Sequence, residues 1–169
     1  MTAIATLILD HKQVLQKIKR IAYEIYENNA TESEVVLAGI YDKGYRFAQL
    51  VQAQLQAISP LYVHLVRIDL EKFSPVQREI QLDCESGFLE NKSIILLDDV
   101  LNTGRTLAHS LKPFLQIPVK KIRVAVIVNR SHTLFPISAD YVGYALSTTI
   151  QEHIEVNLEA ADQLGVYLS

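Results

Sequence analysis

The chain has 169 residues, 49% of them apolar and 21% charged, with a formal net charge of −3 at pH 7. That length is one domain's worth and can bury a sizeable core without metals. The one cysteine, Cys84, excludes an internal disulfide, and the acidic balance speaks against a protein built mainly to grip nucleic acid.

The start of the chain, Met1 to Asp10, is mildly apolar but has no basic leader or cleavage site. No run approaches a membrane span, so a cytoplasmic protein is expected. From Asp10 to about Asn28, Val14, Leu15, Ile18, Ile21, Ala22 and Ile25 recur at helical spacing, which predicts an amphipathic helix. Lys12, Lys17, Lys19 and Arg20 fall on or near its other face, as a solvated face or as a patch for RNA or a partner subunit. The apolar run Val35 to Ile40 suits a strand buried on both faces of a parallel sheet. It enters a loop, Tyr41-Asp42-Lys43-Gly44-Tyr45, and then a predicted helix from Phe47 to Ala57. Gly44 allows close backbone approach, and Lys43 reads as a surface lysine or as a cation for a bound anion.

Leu61 to Leu70 alternates in part and predicts a strand at the sheet edge or one that runs out into solvent. Glu71 to Asn91 is polar, holds Pro75 and Gly87 and has no strong period, which argues for a functional loop or lid. A short strand at Glu79 to Leu82 is expected to form a hairpin with the preceding segment. Cys84 lies between Asp83 and Glu85, acids that raise a thiol pKa and so disfavour a nucleophile. Ile94 to Leu97 then runs into Asp98 and Asp99, followed by Val100-Leu101-Asn102-Thr103-Gly104-Arg105-Thr106. A helix is predicted from Thr106 to about Leu115, with Leu107, Leu111, Phe114 and Leu115 inward. Ile122 to Val128 is a β-branched strand with Asn129-Arg130-Ser131-His132 at its carboxyl end, and short strands are expected at Tyr141 to Tyr144, His153 to Leu158 and Val166 to Leu168. The alternation gives an α/β fold with a mostly parallel central sheet flanked by helices, in a single domain over 1–169.

The chemistry gathers at strand ends. Carboxylates accept hydrogen bonds, so Asp98 and Asp99 suit a vicinal diol or a hydrated Mg²⁺. Amides and hydroxyls from Leu101, Asn102, Thr103, Gly104, Arg105 and Thr106 suit a monophosphate beside the first turn of a helix. Lys43 and Gly44, at the end of a neighbouring strand, suit a second anion. Together these parts describe a site for a ribose bearing a 5-phosphate and a pyrophosphate.

Ile94 to Thr106 also resembles the phosphoribosyl-pyrophosphate motif of type I phosphoribosyltransferases. Val124 to His132 and Leu134 to Gly143 resemble the pyrimidine-operon attenuator (PyrR) type of that family, as do Ile18 to Ile25 and Leu37 to Gly44. The resemblance implies the type I phosphoribosyltransferase fold with a small hood of N- and C-terminal segments. It implies transfer of ribose 5-phosphate from 5-phosphoribosyl 1-pyrophosphate to a nucleobase, with Mg²⁺. Asp98 and Asp99 would be catalytic residues holding the ribose and the metal. A lid over about 66–87 would bring Arg67 to the pyrophosphate, and Asn129, Arg130 and His132 would lie at the nucleobase. Uracil follows as the base, with a homodimer or homotetramer as the assembly. RNA is a further partner under the alternative reading, a nucleotide-sensing regulator of pyrimidine biosynthesis. The third reading is a catalytically idle member whose role is assembly.

Three positions depart from the PyrR pattern. Asp42-Lys43-Gly44 replaces Thr-Arg-Gly and is closer to purine phosphoribosyltransferases, which leaves hypoxanthine or guanine open. Val66-Arg67-Ile68-Asp69-Leu70 replaces Tyr-Arg-Asp-Asp-Leu, and Tyr23 stands where a histidine is common on the RNA-binding face, although Arg20 is kept.

Overall fold

A computed structural model describes residues 4–72 and 74–169. Residues 1–3 of the mildly apolar start and residue 73 of the expected lid lie outside the described residues. The chain opens on strand β1 (Thr6–Leu9) and helix α1 (His11–Asn28), then β2 (Glu34–Ile40), α2 (Lys43–Ile58), β3 (Tyr62–Asp69) and β4 (Gln81–Leu82). A 3₁₀ turn at Ser86–Leu89 leads to β5 (Ser93–Leu101), α3 (Arg105–Ser110), α4 (Lys112–Leu115) and β6 (Lys121–Asn129). Strands β7 (Tyr141–Ala145), β8 (Ile154–Asn157) and β9 (Gly165–Leu168) finish it.

The main sheet has six strands in the order β4-β3-β2-β5-β6-β7. The pairs among β3, β2, β5, β6 and β7 are parallel, and β4 is antiparallel to β3. Side chains alternate along its central strands, so each face has its own core. Val35, Leu37, Ile95, Leu97 and Ile127 pack under α1 and α2. Val36, Ala38, Ile94, Leu96 and Val126 pack against Leu107, Phe114 and Leu89 on the other face. Asn29 and Ser93 join the start of β5 to the end of α1: the Ser93 hydroxyl donates to Asn29 Oδ1 at 2.7 Å, and Asn29 Nδ2 donates to the Ile25 carbonyl.

β2 leads through α2 to β3 on one side, and β5 leads through α3 and α4 to β6 on the other. The chain therefore reverses direction across the sheet between β2 and β5, and the carboxyl ends of those strands border the crevice where open α/β sheets bind ligands. A second, antiparallel sheet, β1-β9-β8, caps the molecule as the hood.

Four expectations change. β1 is a strand formed by pairing with β9 at the far end of the sequence, which no local pattern signals. α2 begins at Lys43 rather than Phe47, so Lys43 and Gly44 belong to its first turn and not to a free loop. The helix expected over Thr106 to Leu115 is two short helices, because Pro113 offers no N–H and its ring would clash with the carbonyl four residues back; Leu115 is consequently exposed. Finally, Val66 to Asp69 of the expected lid are strand β3 and Gln81–Leu82 are β4, so the irregular segment between them is shorter.

Candidate active site

A cleft of about 360 Å³ opens at the reversal point. Asp42 and Lys43 line it from one side, the run Asp98 to Leu107 from the other, and Lys72, His153 and Ile154 from the loop after β3 and from the hood. Two adjacent loops meet there because α2 lies directly on β5. A Cβ on Gly44 would stand 2.5 Å from the Leu97 carbonyl oxygen and 3.1 Å from Asp98 Cα. Only glycine lets the helix start come so close to the acid pair. The peptide between Tyr41 and Asp42 is cis. No side chain caps the first turn of α2, so its leading amides and Lys43 favour an anion.

Asp98 is buried, at 3% exposure, at the end of the hydrophobic run that makes β5. Burial, then the charge of Asp99, pushes its carboxyl up to about 7, although Lys72 opposes the shift. Its Oδ1 accepts from the Asp99 backbone N–H at 2.9 Å and from Lys72 Nζ at 3.0 Å. Lys72 Nζ also lies 3.6 Å from Asp99 Oδ1. Burial works to lower the Lys72 pKa, but the two carboxylates outweigh it and the net direction is upward.

Beyond the acids the chain turns sharply. Gly104 has φ +85°, a left-handed conformation that suits glycine, and forms the N-cap of α3. The Arg105 N–H donates to Thr103 Oγ1 at 3.2 Å, while the Thr103 carbonyl accepts from Leu134 and Phe135. These bonds shape Asn102 to Thr106 into a cradle facing the cleft. The Arg105 guanidinium lies over the Phe135 ring at 5.1 Å and reaches the Pro75 carbonyl at 3.5 Å.

The structure thus brings together Lys43, Gly44, Asp98, Asp99 and Leu101 to Thr106. It does not bring Arg67, whose Nε bonds Asp69 Oδ2 at 3.2 Å and whose guanidinium lies 5.5 Å from the Tyr41 ring centre. Asn129, Arg130 and His132 also stand apart from the cleft lining. Asn129 Oδ1 accepts from the Ser131 N–H. Arg130 donates to Thr148 Oγ1 at 2.8 Å, Asn102 Oδ1 at 2.9 Å and the carbonyls of Thr149 and Glu152 at 3.1 and 2.6 Å. His132 Nε2 bonds the Thr148 carbonyl. The side chains of Arg130 and His132 tie down the loop between β7 and β8. Sequence reasoning missed Lys72, His153 and Ile154. Lys72 sits in a stretch without period, and His153 read as the start of a strand.

Among the described residues no group of three or more histidine, cysteine, aspartate or glutamate side chains is placed to cage a metal. Mg²⁺ is commonly held by one or two carboxylates with its other ligands from water and substrate phosphates. The Asp98–Asp99 pair fits that donor set, and the Lys72 ammonium between the two carboxylates shows that the position attracts a cation.

The sequence pattern of the phosphoribosyl transferase domain matches residues 5–161. A relative from Macrococcus caseolyticus named bifunctional protein PyrR is 32% identical, covering 96% of this chain and 97% of its own. One of the same name from Clostridioides difficile is 36% identical, with 92% of each chain covered. Among solved structures, a hypoxanthine-guanine phosphoribosyltransferase from Bacillus anthracis superposes with a TM-score of 0.77 at 17% identity, over 97% of this chain and 98% of that one. The hypoxanthine phosphoribosyltransferase of Trypanosoma cruzi gives 0.75 at 16% identity, over 95% of each. The fold is theirs, and the chain belongs to the phosphoribosyl transferase domain family.

Proposed function

We propose that the cleft transfers ribose 5-phosphate from 5-phosphoribosyl 1-pyrophosphate to uracil, giving a nucleoside monophosphate and pyrophosphate. The observation that carries this is the convergence of three anion- and diol-seeking groups on one crevice. The 5-phosphate sits in the cradle from Leu101 to Thr106, the ribose hydroxyls donate to Asp98 and Asp99, and the pyrophosphate lies at Lys43 and the first turn of α2. A bound Mg²⁺, held by Asp98 and Asp99, would supply charge neutralisation for the pyrophosphate.

The uracil N1 attacks the anomeric carbon with inversion as that carbon's bond to pyrophosphate oxygen breaks; the leaving group carries off the electron pair and takes up the N1 proton. Holding the reactants in line and stabilising the leaving anion are this chain's contributions. Lys43, in the first turn of α2, is the cation for the leaving group, and it acts as a point charge rather than a bidentate fork. The base lies toward His153 and Ile154 of the hood. The bonds of Arg130 and His132 to Thr148 support that hood loop, which gives both residues a positioning role.

Uracil is favoured because the relatives at 30% identity or more over most of the chain carry the PyrR name, whereas the hypoxanthine enzymes share the fold at 16–17% identity. Pyrophosphate release measured with a panel of free bases tests this. Uracil should be turned over well ahead of hypoxanthine and guanine; a purine preference overturns the assignment.

A regulatory role is the second reading, favoured by the word bifunctional in the relatives' name. Lys12 and Lys19 are exposed on α1. Arg20 is exposed as well, but it is engaged with the Val142 and Gly143 carbonyls at 3.0 and 3.2 Å and with Glu24. Filter binding of pyrimidine leader RNA over a salt series, with and without uridine monophosphate, separates this reading from the enzyme alone. We place the protein in the cytoplasm as a homodimer or homotetramer. Among the described residues no helix is long and apolar enough to cross a membrane, and exposed Leu134 and Ile150 are apolar surface for a second copy to cover.

A further inference from the structure

The segment between β3 and β4 touches the cleft at two points, and both are groups that the substrate needs. Lys72 Nζ bridges Asp98 and Asp99 at 3.0 and 3.6 Å. The Pro75 carbonyl accepts from Arg105 Nη1 at 3.5 Å. Around these points the described residues are tied to one another. Gln77 and the Glu71 backbone exchange two hydrogen bonds, the Ser74 N–H donates to the Glu71 carbonyl, and the Ser74 hydroxyl donates to the Val76 carbonyl. A short, self-bonded loop therefore holds an ammonium group against the acid pair.

That ammonium has consequences for ligands. Asp98 Oδ1 already accepts from Lys72 and from the Asp99 N–H. A ribose hydroxyl or a divalent cation seeks the same carboxylates, and two cations cannot share so small a space. The Lys72 side chain is 25% exposed and its two partners are 5% and 13% exposed, so the contact is largely shielded from water and salt. It is therefore not screened away as an exposed surface pair would be.

We propose that Lys72 is a tethered surrogate cation: it occupies the Asp98–Asp99 pair in the empty protein, latches the loop over the cleft, and must leave when the metal and the ribosyl pyrophosphate bind. Lys72 thereby sets the cation dependence of substrate binding. A protein whose site is occupied by its own side chain binds with an apparent affinity reduced by the fraction of molecules in which the site is open. The inference rests on the function proposed above for the substrate, but the latch itself does not need it.

The test compares wild type, Lys72→Met and Lys72→Arg, the last keeping the charge. The first measurement uses the ligand-free protein and follows the rate of trypsin cleavage after Arg78, in the same loop. The latch predicts cleavage at least about fivefold faster in Lys72→Met, with Lys72→Arg close to wild type, because the open population rises when the bridge is removed. The second titrates 5-phosphoribosyl 1-pyrophosphate at increasing Mg²⁺ by calorimetry. Lys72→Met should reach half-saturation at a several-fold lower Mg²⁺ concentration. Unchanged cleavage in Lys72→Met overturns the latch, whether or not the ribosyl pyrophosphate binds. Binding that weakens in Lys72→Met while wild type binds well overturns the competition and makes Lys72 a substrate ligand. Failure of every form to bind, with cleavage still accelerated, contradicts the proposed function and leaves the latch standing.

Discussion

Asp98 shows what one residue costs and gives. It stands within β5, just past that strand's apolar run, where a buried carboxylate loses its hydration and sits beside another. Its pKa, raised to about 7 by burial and by Asp99, lies above the ordinary value of 3.8. A carboxyl raised on folding favours the native state while protonated, and that contribution fades as pH rises from about 4 to about 7. Asp98→Asn keeps the shape and removes the charge. We expect it to gain stability relative to wild type as pH rises from 5 to 8, because the wild-type carboxyl must ionise across that range and the amide cannot. Thermal unfolding at the two pH values checks this. The gain should come with loss of the substrate site, since the neutral amide no longer offers a charged partner to hydroxyls or a cation.

Among the elements, the loop between β7 and β8 is held chiefly by Arg130, with His132 adding a bond to the Thr148 carbonyl. Arg130 gives its donors to Thr148, Thr149, Glu152 and Asn102, and so links the Asn102–Thr106 cradle to the hood. Arg130→Met leaves those acceptors without their partner. The expected cost is about 1–3 kcal/mol, with faster amide hydrogen exchange in residues 146–153 and little change in β2 or β5. Exchange confined to global unfolding would contradict the linking role. This arginine also marks how far the sequence could be read. Its place at the carboxyl end of a strand was legible from Ile122 to Val128, but three of its partners lie about twenty residues later in a loop with no periodic signal, so a base contact and a structural tie looked alike. The early start of α2 escaped notice for a related reason. Glycine is a poor helix former, yet Gly44 is helical because packing on β5 requires it to be small.

For the molecule as a whole, the parallel sheet was legible because its strands are continuous apolar runs and its helices keep their period. The order of those strands was not, and neither was the pairing of β1 with β9, since register between distant segments leaves no local trace. The strand order nonetheless explains the site. Reversal between β2 and β5 puts the α2 start, the acid pair and the Asn102–Thr106 cradle around one crevice, and the hood supplies its remaining wall. The central claim is that this crevice is a ribosyl-pyrophosphate site held by the acid pair. Isothermal titration of 5-phosphoribosyl 1-pyrophosphate with Mg²⁺ tests it most directly. We predict saturable binding to the wild type and at least about a hundredfold weaker binding to Asp98→Asn plus Asp99→Asn, since lost charged hydrogen bonds are worth about 1.5–3 kcal/mol each. No binding by the wild type, or undiminished binding by a folded double variant, would contradict it.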